Sequence, residues 1–379
     1  MRMIAAVMHE QGLEHPYAKS QPFKIEEIEL DPPGPGEVLV EVRAAGLCHS
    51  DLSTVAGMRK RPLPVVGGHE GAGIVREIGA GVEGFVVGDH VTMAGVAGCG
   101  QCRFCLAQRP GLCQAVAGAK SQGMLGTGVR RLKSINGDSI NHYSGISVYA
   151  QYAVVTPQSL IKIDKSVPLD IASLFGCAVI TGAGAVFNSA RVPKGSSVAV
   201  IGLGGVGLTA VMAAKQAGAS RIIGIDLLDS KFGLAKTLGA TECLQASDAD
   251  IIQKVRDLTD GGVDFAFEIS GHPSALEMAQ AITVRGGEVV GVGVNKASAI
   301  FTVNHLPWVC DERVLRGSYM GGGVPQKDIP LYVEMYLKGQ LPVDQLRSEH
   351  VSFDQLNAAF DRLKAGQTIR QILLPHGVV

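Results

Sequence analysis

The sequence predicts an α/β protein that joins a doubly wound parallel sheet to a second, mostly β domain. Three observations carry this. The first half is rich in short β-branched runs between glycine and proline turns. After about residue 178, strand-like runs alternate with helical ones, the pattern of a parallel sheet with crossover helices. Where that alternation begins, Val198-Ala199-Val200-Ile201 runs straight into Gly202-Leu203-Gly204-Gly205-Val206-Gly207.

The elements follow in order. The short apolar run in residues 1–10 reads as a first strand. Residues 38–42 follow the turn Pro32-Pro33-Gly34-Pro35-Gly36 and read as another. Residues 74–78 and 86–91 continue the same style. Beyond 178, strands are expected at 198–201, 222–225, 263–268 and 288–292, with helices at 208–217 and 231–238 between them. The tail from about residue 321 is mixed, with helical patterns at 329–338 and 353–364 and a closing strand at 369–374.

Composition narrows the function. The 379 residues suffice for two domains and a large core. The net charge of −1 gives no pull toward nucleic acid or an anionic membrane, so neither is an expected partner. No stretch is long and apolar enough for a bilayer span. The N-terminal run lacks a signal peptide's longer core and cleavage pattern. Eight cysteines without an export signal point to reduced thiols, metal ligation and a cytoplasmic protein. Only 18% of residues are charged, which a buried subunit contact would explain.

The glycine turn gains meaning from its context: strand before, helix after, and an acid ending the next strand. Gly202 permits the tight turn and Gly204 lets backbone approach a pyrophosphate. Gly207 lets the helix pack on the strand, and Leu203, Gly205 and Val206 complete the cradle at the helix N-terminus. Asp226 ends the run Ile222-Ile223-Gly224-Ile225. Its carboxylate suits the two ribose hydroxyls of an adenosine and repels a 2′-phosphate, so the cofactor read is NAD rather than NADP.

Two cysteine constellations suggest metals. Cys99, Cys102 and Cys105 fall at every third position and Cys113 follows eight residues later. Such a cluster makes either disulfides or one tetrahedral metal. Thiols this close cannot all form unstrained disulfides with one another, whereas a four-thiolate zinc site suits them and is structural. Separately, Gly46-Leu47-Cys48-His49-Ser50-Asp51, Gly67-Gly68-His69-Glu70-Gly71-Ala72-Gly73 and Cys177 supply a Cys, a His and a Cys from distant segments. Three soft ligands leave one zinc position open, the mark of a catalytic metal. Taken singly, Cys177 reads as a small core residue and His69 as a satisfied surface histidine. Cys243 and Cys310 have no ligand-like neighbours and read as core residues.

Together these segments resemble the zinc-dependent medium-chain alcohol dehydrogenases over essentially the whole chain. The likeness rests on residues 68–73, the four-cysteine lobe, the turn 202–207 and Thr368-Ile369-Arg370. It implies a GroES-like catalytic domain from residues 1–178 and 321–379, a Rossmann domain from 179–320, an active site in the cleft between them, and two zinc ions per chain. A Cys₂His site is itself a standard description of alcohol dehydrogenase zinc, so that match is analogy. The resemblance assigns Cys48, His69 and Cys177 to the catalytic zinc, with Glu70 as a possible exchange ligand. It makes Asp51 the partner that orients His69 and Ser50 the hydroxyl that takes the alcohol proton. His49 and Arg370 correspond to cationic contacts to the NAD pyrophosphate, Lys231 to the residue beside the adenosine ribose, and Thr181 to the contact near the nicotinamide. Val292 counts among both cofactor contacts and pocket lining. Gly95, Tyr143 and Tyr319 correspond to the substrate pocket. The implied reaction is reversible oxidation of an alcohol to an aldehyde or ketone by hydride transfer.

The chain also departs from that family. Many members carry a proton-relay histidine where this chain has Ser53. The branch that oxidises the glutathione adduct of formaldehyde has acidic residues after the first zinc cysteine and an arginine past the last structural cysteine. Here those regions read Met58-Arg59-Lys60-Arg61 and Gln114-Ala115-Val116-Ala117, so that activity is the alternative rather than the main reading. Gly95 stands where an aromatic ring is common, which widens the pocket and favours bulky, apolar or aromatic alcohols. Zinc-free quinone or enone reductases of this fold lack the cysteine lobe and the Cys/His ligands, and a non-catalytic NAD-binding protein has no use for an open zinc site. The extra segment 120–141 resembles that of dimeric branches. A homodimer is therefore expected, joined along Rossmann edge strands near Phe301-Thr302-Val303.

Overall fold

The computed structural model describes residues 1–95 and 98–377. The chain divides into two compact units. The first comprises Met1–Cys177, Val324–Leu337 and Val343–Val379, and the second Ala178–Gly323 and Lys338–Pro342. The sequence division at 178 and 321 is thus corrected by one and three residues. The five residues 338–342, which sequence placed in the first domain, group with the second.

The first unit is built on two β-systems. Arg2–Met8, Phe23–Leu30, Leu132–Ser134, Ser139–His142 and Val65–Val66 close into a small barrel. A seven-stranded sheet runs Leu160–Lys162, His90–Ala94, Glu70–Ile78, Val38–Gly46, Arg370–Leu373 and Arg347–Val351, with Tyr152–Val155 also pairing to Val38–Gly46. Val38–Gly46 is buried on both faces along nearly its whole length, and apart from Glu41 and Arg43 its residues are apolar. Its one acid, Glu41, is held by Arg43 and Arg76. Phe23 stacks on Phe360 at 5.5 Å and meets Tyr149 edge-on at 5.7 Å. Truncating a ring so deeply buried costs about 3–5 kcal/mol.

The strand expected at 86–91 is corrected. It starts only at His90, and the residues before it turn. Gly88 has φ +90°, the Asp89 carboxylate accepts the Val86 N–H at 2.8 Å, and Val86 and Val87 are each 61% exposed. Turn chemistry overrides β propensity there.

The second unit is a six-stranded, wholly parallel sheet. Its order is Glu242–Gln245, Arg221–Asp226, Ser197–Ile201, Val263–Glu268, Thr283–Gly291, Val314–Gly317. The chain reverses its direction of travel across the sheet at Ser197–Ile201, and in such sheets ligands bind beyond the strand ends at that point. The glycine turn leaves that same strand and enters the helix Gly205–Gln216, three residues longer at its start than the apolar pattern suggests. The strands Glu242–Gln245 and Val314–Gly317 were not foreseen. Both are half-buried or exposed edge strands with weak apolar signal. Val314–Gly317 is the edge that the segment near Phe301 was expected to supply; residues 301–303 are in no strand. Cys310 is exposed and Cys243 half-buried, so the core reading fails for the first. Cys310 ends the helix His305–Cys310, which buries no residue at all.

Candidate active site and metal centres

The three distant ligand candidates meet in the first unit. The donor atoms of Cys48, His69 and Cys177 all lie within 4.8 Å of one another, and all three residues are buried. The gap from Cys177 Sγ to His69 Nε2 is 3.4 Å, close to the edge of about 3.5 Å expected between sulfur and nitrogen donors of a tetrahedral zinc. Each donor is placed by local chemistry. Cys48 caps the helix His49–Val55, and its N–H donates to the Asp51 carboxylate at 3.1 Å. His69 follows Gly68 at φ +84°, and a Cβ at Gly68 would lie 2.5 Å from the Tyr149 ring. Cys177 follows Gly176, whose absent side chain lets backbone approach Met93 O; a Cβ there would sit at 2.0 Å.

Asp51 organises the group. One carboxylate oxygen accepts from His69 Nδ1 at 2.9 Å, and the other accepts from Tyr149 Oη at 3.1 Å. With Nδ1 donating to Asp51, Nε2 is the nitrogen that faces the two thiols and is left for a metal. Burial opposes charge on His69, but Asp51 outweighs it and holds the imidazole pKa well above its usual value. The hydrogen bond from Cys177, against the opposing effect of burial, holds Cys48 well below the usual thiol range; the same contact, reinforced by burial, pushes Cys177 well above it. The pair thus shares a proton that a cation would displace.

Glu70 lies behind this group at 0% exposure. Neither of its carboxylate oxygens has a hydrogen-bond partner. Burial raises its pKa to about 7, against the pull of Arg370. A buried carboxylate beside two thiols and an imidazole, with its oxygens orphaned, is what a cation site looks like in side chains alone. Arg370 lies beside Glu70. Its guanidinium is buried, donates to Leu47 O at 2.9 Å and lies 3.9 Å from Glu70, so in this unit it opposes the Glu70 charge.

Ser50 and Tyr143 adjoin the group. Tyr143 is buried, its ring centroid 5.8 Å from that of His69. Its hydroxyl pairs with Thr54 Oγ1 at 2.9 Å and lies 3.2 Å from Ser50 O. His49 is exposed. Ser53 Oγ donates to His49 O at 2.8 Å. Gly95 follows the strand His90–Ala94, whose Ala94 pairs with Glu70. Sequence reasoning missed Tyr149 and Thr54. A tyrosine hydroxyl on Asp51 has no local motif, since it comes from 98 residues away.

The second cluster, Cys99, Cys102, Cys105 and Cys113, also has its donor atoms within 4.8 Å of one another. Cys102 and Cys105 sulfurs are 3.5 Å apart, and Cys113 Sγ accepts the Cys99 N–H at 3.4 Å. Backbone N–H groups of Gln101 and Cys102 lower Cys99 to about 6, whereas burial raises Cys105 to about 11. All eight cysteines are free thiols.

In the second unit, Gly202 takes φ +99°, and a Cβ on Gly207 would lie 1.8 Å from Gly202 O. A Cβ on Gly204 would meet nothing within 4 Å, leaving open space before the turn. Leu203 N–H donates to Asp226 Oδ2 at 2.7 Å, Leu228 N–H to Oδ1 at 2.9 Å, and Lys231 Nζ reaches both oxygens at 3.1 and 3.2 Å. The acid thus ties the glycine turn to the next strand's end. Gly205 and Val206 open the helix. Thr181 Oγ1 faces Met320 Sδ at 3.5 Å. Val292 is buried and Tyr319 exposed.

A parallel sheet with a phosphate-type glycine turn, on one chain with a buried Cys₂His group, defines a metal-assisted dehydrogenase. Comparison with known proteins gives the family. Residues 34–165 match the alcohol dehydrogenase GroES-like domain, and residues 205–338 match the zinc-binding dehydrogenase domain. An alcohol dehydrogenase class-3 of Drosophila melanogaster is 40% identical over 359 residues, 93% of this chain and 94% of that one. Among solved structures, an alcohol dehydrogenase zinc-binding domain protein from Burkholderia ambifaria superposes with TM-score 0.93 at 35% identity, covering 99% of both chains. A benzyl alcohol dehydrogenase from Acinetobacter calcoaceticus gives TM-score 0.91 at 33% identity, again over 99% of both. The chain belongs to the zinc-dependent medium-chain alcohol dehydrogenase family, and it is an oxidoreductase acting on alcohols.

Proposed function

We propose that the enzyme is NAD-dependent, holds two zinc ions per chain, and interconverts a bulky, apolar or aromatic alcohol with its aldehyde or ketone. The observation that carries this is the buried convergence of Cys48, His69 and Cys177, with Asp51 fixing the histidine tautomer. Zinc held by these three residues supplies Lewis acidity that makes an alcohol hydroxyl acidic near neutral pH, and the nicotinamide supplies the hydride acceptor. The chain's residues do the rest. Asp51 keeps His69 Nε2 free to ligate, and Tyr149 and the Cys48 N–H hold Asp51 in place. Ser50 is the hydroxyl that takes the proton. Glu70 is the reserve carboxylate, with Arg370 offsetting its charge. Gly202–Gly207 hold the pyrophosphate and Asp226 the adenosine ribose. The thiols of 99, 102, 105 and 113 hold the structural zinc. The benzyl alcohol dehydrogenase likeness supports the aromatic preference, as does Gly95, where a Cβ would meet only Ser144 at 3.7 Å. The free thiols fit a reducing compartment such as the cytoplasm.

A homodimer is supported by the apolar surface of the second unit. Ile300 and Leu306 are 84% and 71% exposed, Phe301, Val303 and Val309 are exposed too, and a hollow of about 530 Å³ lies beside Thr302 and Trp308. Light scattering tests it. The activity itself is tested by metal analysis together with a panel of alcohols and the glutathione adduct of formaldehyde, each with NAD and with NADP. About two zincs per chain and NAD-linked oxidation of aromatic alcohols are expected. Metal-free protein that reduces enones with NADPH would overturn the reading.

A further inference from the structure

Tyr149 is wholly buried, and a buried phenol hydroxyl needs an acceptor. Two are in reach: Asp51 Oδ2 at 3.1 Å and Gly46 O at 3.4 Å. An ionised carboxylate has no proton to give, so the tyrosine donates, and the nearer, charged acceptor takes the bond. The ring is aimed by the chain around it. The Tyr149 N–H donates to Gly67 O at 3.0 Å, and the Ala6 N–H donates to Tyr149 O at 2.8 Å. A Cβ on Gly67 or Gly68 would lie 2.8 or 2.5 Å from the ring. These two glycines precede His69, so the stretch of chain that delivers the imidazole also makes room for the tyrosine.

Asp51 therefore receives three donors. His69 Nδ1 uses one oxygen at 2.9 Å, and the Tyr149 hydroxyl and the Cys48 N–H share the other at 3.1 Å each. The Cys48 bond belongs to the first turn of the helix His49–Val55 and fixes Asp51 even without the hydroxyl. What the hydroxyl alone changes is charge. A hydrogen bond to a carboxylate favours its ionised form and lowers its basicity. A less basic Asp51 pulls less on the Nδ1 proton, and His69 then carries less electron density at Nε2. At a buried site the bond acts in a low local dielectric, which strengthens it.

We propose that Tyr149 is a positioning residue that acts through Asp51 on His69: its hydroxyl withdraws charge from the carboxylate, so that His69 gives less charge to the zinc and the bound alcohol becomes more acidic. This rests on the alcohol dehydrogenase reading above and adds to it the residue that tunes the acidity of the metal.

The test is Tyr149→Phe, which keeps the ring against Phe23 and Phe360 and removes only the hydroxyl. The other titratable groups around Asp51 and His69, namely Cys48, Cys177, Glu70, Arg370 and Tyr143, are the same in both proteins, so a difference belongs to the hydroxyl. In single-turnover hydride transfer from benzyl alcohol to NAD, the high-pH plateau should stay while the pH midpoint rises by about 0.5–1 unit, which slows the reaction near neutral pH roughly 3- to 10-fold. Metal binding gives a readout independent of turnover. In competition with a chelator, zinc at Cys48, His69 and Cys177 should be held as tightly as in the wild type or up to about 10-fold more tightly, because His69 becomes the stronger donor. With cobalt(II) in place of zinc, the absorption of this site, isolated by subtracting the spectrum of Cys177→Ser, should move to shorter wavelength as the imidazole field strengthens. Incorporating 3-fluorotyrosine at position 149, a stronger hydrogen-bond donor, should move midpoint and absorption the opposite way, and it decides the question if Tyr149→Phe does not fold. A hydroxyl that only holds Asp51 in place gives instead zinc about 10- to 100-fold looser with the midpoint unmoved. That result overturns the proposal, and so does a midpoint unmoved by either replacement. A wild type that binds no metal at these three residues overturns the dehydrogenase reading and this one with it.

Discussion

Replacing Asp226 by serine should move two quantities together, and the structure sets the size of each. The buried carboxylate accepts the Leu203 and Leu228 N–H groups and the Lys231 ammonium. Serine is too short to reach both amides. Each lost charge-assisted bond costs about 1.5–3 kcal/mol, so the second unit should lose about 3–5 kcal/mol, a fall in Tm of about 10 °C. In the same variant the negative charge that repels a 2′-phosphate disappears. The NAD-to-NADP ratio of kcat/KM should therefore fall roughly 10- to 1,000-fold, about 1.4–4 kcal/mol. The assay is steady-state kinetics with both cofactors beside a thermal melt. Asp226→Asn serves as the milder control, because its amide oxygen retains one backbone donor. A wild type that already prefers NADP refutes the reasoning, as does a folded Asp226→Ser enzyme whose cofactor ratio is unchanged.

Other outcomes follow from the same structure. Cys177→Ser should abolish turnover and lower zinc by one per chain while nucleotide binding, measured by calorimetry, stays within a few-fold; full activity would remove Cys177 from the site. Cys102→Ser or Cys105→Ser should cost thermal stability and one zinc with less effect on turnover per folded molecule, and an unchanged melt with one zinc fewer contradicts that. His142 is buried, its Nε2 accepts the Arg131 N–H at 3.0 Å, and burial with help from Arg130 and Arg131 lowers its pKa to about 3. The unfolded chain takes up that proton below about 6.5, so this group's stabilisation is complete above pH 6.5 and lost as pH falls. Denaturant melts should show it contributing a loss of about 2 kcal/mol between pH 6.5 and 5, and His142→Gln should flatten that slope. Ser53 spends its proton on His49 O and cannot act as a base near neutral pH, so single-turnover hydride transfer should quicken as pH rises. Ser53→His should flatten that rise, and identical profiles in the two proteins would sink the role of position 53.

Much of this was legible in sequence because it is local. The turn 202–207 with Asp226, and the four cysteines between 99 and 113, are short patterns whose spacing fixes their geometry. Cys48, His69 and Cys177 were legible only through resemblance, because no spacing rule links residues that meet across a sheet. Tyr149 on Asp51 was invisible for the same reason. The misread strand at 86–91 shows the converse. Valines at 86 and 87 carry strand propensity, but Gly88 and Asp89 impose a turn, and local chemistry won. The edge strand Val314–Gly317 was missed because an edge has little apolar pattern to read.

The ring trio of Phe23, Tyr149 and Phe360 bears on how the enzyme is made. Tyr149 braces Asp51, which braces His69, while Tyr149 itself rests on Phe23 and Phe360. Phe360 belongs to the helix Leu356–Lys364, whose Asn357 and Asp361 also bind the backbone of Phe23 and Tyr17. The strand Arg370–Leu373 then pairs with the strand leading to Cys48. During synthesis from the N-terminus, Cys48 and His69 are translated about 300 residues before these supports. A nascent chain therefore carries its ligands long before it can orient them. Assembly of the Cys48–His69–Cys177 site belongs to the finished fold, and a ribosome-stalled chain ending near residue 340 should bind one zinc, through its cysteine lobe, rather than two.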